Sequence, residues 1–67
     1  QNELNIVFQQ RIIMLEVWSS EGRLIYQKAF QSGIISHIID VSSWPEGIYL
    51  LRVEDAESTM SYRKFIK

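Results

Sequence analysis

Ser36, His37 and Asp40 are the one grouping in the chain whose residue types invite catalysis, a hydroxyl, an imidazole and a carboxylate within a short run. The chemistry would be nucleophilic acyl transfer, with His37 taking the proton of Ser36 and Asp40 steadying the imidazole. The spacing works against it. Successive side chains of an extended strand point to opposite faces, so Ser36 and His37 cannot meet without a bulge, and Asp40 shares the face of Ser36. An ordinary strand histidine is the reading, with no catalytic residues and no enzyme. The acidic residues Glu21, Glu46, Glu54, Asp55 and Glu57 fall in turns or at strand ends, where carboxylates keep a surface soluble. Calcium needs several oxygens from one defined loop, and Asp55 with Glu57 supplies too few. One histidine and no cysteine leave neither a histidine-only nor a thiolate metal site. No metal and no cofactor are expected. Gly22, Gly33 and Gly47 are isolated and stand in no strand-loop-helix unit, so they read as turn formers rather than a phosphate cradle. Trp18, Tyr26, Trp44 and Tyr49 could stack on a sugar, but a short chain needs its large rings inside, and core packing is the better use.

The elements that must position these residues are short and extended. Sixty-seven residues, 46% of them hydrophobic, with seven basic against eight acidic side chains, describe one small domain of marginal core. No basic cluster marks a nucleic-acid or polybasic membrane surface, and no apolar run approaches the roughly 20 residues of a spanning helix. The chain opens on Gln1, without an initiator methionine or a charged-then-apolar leader, and is expected to be a piece of a longer precursor.

Period-2 alternation recurs along the chain while helical spacing does not, an all-β pattern. Strands are expected over 3–8, 11–18, 23–30, 34–41, 47–54 and 59–67. Gln9 and Gln10 make a polar break between the first two, and Ser19 to Gly22 a tight hairpin turn. Gln31 to Gly33 closes a second hairpin. Isoleucines on both faces of the run from Ile34 to Val41 suggest cover on both sides. Pro45 and Gly47 forbid a regular ladder through Ser42 to Gly47, and Asp55 to Ser58 is a polar turn. These runs fit a small antiparallel, immunoglobulin-like β-sandwich of about six or seven strands. Tyr49, two residues beyond Gly47 and just after a sharp reversal, suits a tyrosine corner, its ring inside and its hydroxyl on nearby backbone. Gly47→Val is therefore expected to cost more than Gly33→Val.

Three segments carry a resemblance. The run Leu15 to Ile25, with Val17-Trp18-Ser19-Ser20-Glu21-Gly22-Arg23 at its centre, is followed by Ile39 to Val53 with Trp44-Pro45-Glu46-Gly47-Ile48-Tyr49, and Arg63-Lys64-Phe65-Ile66-Lys67 ends the chain. Taken in this order over residues 3 to 67, they resemble the C-terminal sorting domains of the type IX (Por) secretion system of Bacteroidota. That family shares a hydrophobic-aromatic-Asp-x-x-Gly-Arg turn, a Leu-x-x-Gly-x-Tyr corner and a basic-apolar-apolar-Lys finish. Ser19 stands where the family often has Asp, Trp44 where leucine is common, and the Pro-Asn-Pro element that usually opens the domain is missing. The chain is thus expected to be one sorting domain over 1–67 that lacks its first segment.

The resemblance implies an address and not an activity. A passenger upstream enters the periplasm by its own signal peptide, the outer-membrane translocon reads this domain, and a surface C-terminal signal peptidase usually removes it, leaving the passenger anchored or released. Gly22, Arg23, Gly47, Tyr49, Lys64, Phe65, Ile66 and Lys67 are the positions that match the family's motifs. Lys64 and Lys67 either mark the presented end for a receptor or keep an edge strand soluble. Unpaired edges also predict self-association. The competing reading is an adhesive or carbohydrate-binding sandwich module of a surface protein.

Overall fold

The computed structural model describes residues 2–67. Four strands form a single antiparallel sheet in the order β2-β1-β3-β4, with β1 at Glu3–Ser19, β2 at Leu24–Asp40, β3 at Ile48–Asp55 and β4 at Met60–Ile66. The all-β expectation holds. The strand count does not, because the polar break at Gln9 and Gln10 and the supposed hairpin at Gln31 to Gly33 are irregularities inside two long strands. Between the pairs Val7↔Ser36 and Met14↔Ala29 the ladder of β1 with β2 is broken by register shifts. Both strands spend the same number of residues there, so the register is identical on either side.

Gly33 supplies the bend with φ +76, a left-handed conformation that costs glycine little. Its carbonyl accepts from an Arg11 guanidinium nitrogen at 3.4 Å. A local turn residue therefore redirects a strand without ending it, and the sequence pattern of a hairpin is nearly the same.

The bend folds the long β1–β2 hairpin over. Tyr26 and His37 both belong to β2 and stand 11 positions apart, a span of roughly 36 Å in a straight strand at about 3.3 Å per residue. The Tyr26 hydroxyl and His37 Nε2 are nevertheless 2.9 Å apart. Two layers result from one hydrogen-bonded sheet. Ile6, Phe8, Ile39 and Val41 from the outer layer close on Leu15, Val17, Tyr49, Leu51 and Val53 from the inner one. Leu15 and Val17 are fully buried, as expected for a stretch flanked by strands on both sides.

Alternation slips by one residue at the bend. Ile6, Phe8 and Ile12 point inward before it and Leu15 and Val17 after it, so Ile12 takes the buried place that unbroken alternation gives to Ile13. The cover expected on both faces of the run from Ile34 to Val41 is also corrected. Ile39 is buried, while Ile35 and Ile38, on opposite faces of the strand, are both exposed.

Candidate functional site

The turns and the chain end within the three segments that carry the resemblance lie at one end of the molecule, opposite the bend. Each is built locally before it meets the others. In the Ser19–Arg23 turn the Ser19 amide donates to the Arg23 carbonyl at 2.8 Å and the Gly22 amide to the Ser19 carbonyl at 3.0 Å. Gly22 sits at φ +86. The Ser19 hydroxyl accepts from the Glu21 and Arg23 amides at 3.3 and 3.2 Å. Serine thus performs the backbone-capping service that an aspartate gives elsewhere in such turns.

The second segment is the loop from Ser42 to Gly47. Asp40 Oδ1 accepts the Ser42 amide at 3.0 Å, and this bond holds the Asp40 carboxyl below the usual carboxylate range. The Trp44 amide donates to the Val41 carbonyl at 3.0 Å. Tyr49 is buried and its hydroxyl donates to the Pro45 carbonyl, which makes the tyrosine corner. Around it Phe65 stacks at 5.3 Å, with only 18° between its plane and that of Tyr49, and Trp44 packs at 5.3 Å with a tilt of 47°. Trp44 also approaches Tyr26 at 6.3 Å, so the larger ring in place of leucine is absorbed by aromatic contacts across the layers.

The third segment is the chain end. Gly47 and Lys67 exchange both backbone hydrogen bonds, at 3.1 and 2.9 Å, and Ile48↔Ile66, Tyr49↔Phe65 and Leu50↔Lys64 continue the pairing. Between the first two turns runs an open cleft of about 270 Å³ lined in part by Glu21, Arg23, Glu46, Gly47 and Tyr49.

Seven of the eight motif residues therefore meet at this end: Gly22, Arg23, Gly47, Tyr49, Phe65, Ile66 and Lys67. Lys64 stands further along β4, exposed and paired with Leu50. Lys67 departs from the expectation of a second displayed charge, because its ammonium turns back onto carbonyls of the 41–44 segment.

The catalytic candidates are not brought together. His37 faces the inner layer, bonded to Tyr26 and edge-on to Phe30 at 5.1 Å, whereas Ser36 is exposed on the other face. Burial, and then the charge of Lys28, keep the His37 imidazole below its ordinary pKa. The aromatic candidates divide as well: Tyr26, Trp44 and Tyr49 pack between the layers, and Trp18 lies on the outer face of the inner layer. There its indole donates to Glu16 Oε1 at 3.2 Å. Among the described residues no group of three or more acidic or histidine side chains is placed to share a metal ion.

Sequence reasoning missed the Glu16 cluster. Glu16 is buried on an outward face, where it accepts from Arg52 at 2.6 Å and Gln27 at 3.0 Å, with the Arg52 guanidinium holding its carboxyl below the usual range. Its signal was the alternation itself. Glu16 is the one acid between Met14 and Trp18 on that face of β1, and a lone carboxylate among apolar neighbours in a central strand demands a cationic partner.

The fold and this end define a small all-β domain whose recognisable features are turns and a chain end. The sequence model of the family described as "Secretion system C-terminal sorting domain" matches residues 1–67, the whole chain. The chain belongs to this family of type IX secretion C-terminal sorting domains. No match was found among curated proteins or among solved structures.

Proposed function

We propose that this chain is the address of a longer precursor: it carries an upstream passenger through the periplasm to the outer-membrane type IX translocon and across it, and a surface C-terminal signal peptidase then removes it. Residues 1–67 act as one sorting domain in this reading. The observation that supports it is the convergence of Ser19–Arg23, Trp44–Tyr49 and Phe65–Lys67 at one end, although they are far apart in sequence. A receptor could read all three without unfolding the core. Gly22, Gly47, Tyr49 and Phe65 shape that end, while Arg23, Lys64 and Ile66 are exposed and available for contact. The immunoglobulin-like sandwich belongs to the same reading, with the folded-over hairpin supplying its second layer.

Fusing the chain after a signal peptide and a folded reporter tests the proposal in a bacterium with the type IX machinery and in one without it. Surface or medium reporter is expected only in the first. Retention in the periplasm of both strains would refute it. The edges of β2 and β4 carry the remaining expectation, self-association by strand pairing, for which sedimentation should show mass rising from micromolar to millimolar chain. A constant monomer mass over that range would remove it.

A further inference from the structure

Lys67 binds the 41–47 loop from two sides. Its backbone exchanges hydrogen bonds with Gly47, and its ammonium donates to the carbonyls of Val41 at 2.6 Å, Trp44 at 2.5 Å and Ser42 at 3.3 Å. An ammonium has three N–H donors, and here each has a carbonyl. Charge-assisted bonds of this kind are stronger than neutral ones, and three of them converge on a segment that belongs to no strand. The three carbonyls point to a common centre only while the turn from Val41 to Trp44 is closed, and the Val41 carbonyl also accepts the Trp44 amide that closes it. Closure seats Trp44 on Tyr49 and Tyr26 and leaves Glu46 and Gly47 lining the cleft beside the Ser19–Arg23 turn.

We propose that Lys67 is a positioning residue, a latch whose ammonium holds the Ser42–Gly47 loop closed and so shapes the sorting end, without itself touching the receptor. This rests on the sorting reading for its biological role and on the hydrogen bonds alone for its structural one. Lysine suits the task because a compact charge can sit among three carbonyls, whereas the flat fork of arginine aims its donors outward in one plane. Lys64, of the same type and three residues earlier in the same motif, has no such partners and is exposed, which makes it the natural control.

Amide hydrogen exchange of the 67-residue chain separates the latch from a general stabiliser. In Lys67→Met the Trp44 and Gly47 amides are expected to exchange at least about tenfold faster than in the unmodified chain, while the Leu15 and Val53 amides keep their rates. Lys64→Met should alter none of them. Unchanged exchange at Trp44 and Gly47 would overturn the proposal, and so would an equal acceleration of the loop and the core. If Lys67→Met does not fold, Lys67→Gln is measured against the same two outcomes. In the reporter fusion, Lys67→Met should be exported at about a tenth of the normal rate, and normal export from an opened loop would overturn the role in sorting. Failure of the unmodified fusion to be exported would instead refute the sorting reading, with the latch decided by exchange alone.

Discussion

At the bend, the two long strands reverse through their backbones, with Gly33 at φ +76 and an Arg11 contact at 3.4 Å as the main side-chain tie. At the opposite end three separate segments are tied to each other by a buried tyrosine hydroxyl, a ring stack, a reciprocal backbone pair and a lysine ammonium. Both ends close the same two layers. The bend needs only a conformation, which one glycine supplies, whereas the motif end needs particular side chains in a fixed arrangement. Under the proposed sorting reading, the end built of side chains is the one that offers a reader specific features.

The sharpest way to break the comparison is at the glycines. Both positions have a positive φ that L side chains rarely adopt, so a Cβ strains either backbone; at Gly33 it would also stand 3.1 Å from the Arg11 Cβ, while at Gly47 it meets nothing within 4 Å. Gly33→Val is therefore expected to cost about 2 kcal/mol or more in chemical denaturation, and Gly47→Val less. This reverses the expectation from sequence, and a larger loss for Gly47→Val would restore it. At the motif end, Tyr49→Phe leaves the ring stack but strands the Pro45 carbonyl, for a loss of about 1 to 2 kcal/mol by the same measurement. No loss would mean that the corner is held by its rings alone.

The smallest effect is a pH dependence that crosses both layers. Burial, and then the charge of Lys28, hold the His37 imidazole of the folded chain below the unfolded value near 6.5. The unfolded chain then binds more protons in that window. Stability is greatest above the unfolded pKa and falls as pH drops through it toward the folded one. The groups facing His37 are Tyr26 and Phe30 of its own folded strand, with Lys28 the nearby charge. Melting temperature between pH 7.5 and pH 5 should decline less in His37→Gln than in the unmodified chain, and parallel curves would assign the decline elsewhere. Glu16 acts in the same direction at lower pH, because a carboxyl held down by Arg52 loses its contribution only as pH falls through the carboxylate range.

How much could be read beforehand follows from what is local. The turn at Gly22, the corner at Tyr49 and the strand that follows it were legible, since each depends on neighbours in sequence and on strict alternation. The strand count was not legible, because a polar pair or a glycine that bends a strand looks like one that ends it. The inward turn of Lys67 was equally hidden: its carbonyl partners lie more than twenty residues away and carry no residue-type signature. Glu16 lay between, its need for a cation visible and the identity of Arg52 set only by the β1–β3 register, which pairs the two.

The claim that sorting is read at the motif end can be tested by matched charge removal at the two ends. Arg23 and Glu46 are exposed at one, Arg11 and Glu57 at the other, so each double replacement by Gln removes one charge of each sign and is expected to alter stability by under about 0.5 kcal/mol per site. Surface reporter is then measured for both double variants in a strain with the type IX machinery, alongside their melting temperatures. The account predicts export reduced about tenfold for Arg23→Gln with Glu46→Gln, the equivalent of roughly 1.4 kcal/mol of recognition, and normal export for Arg11→Gln with Glu57→Gln. Normal export from the first pair at unchanged stability, or an equal loss from both, would contradict it.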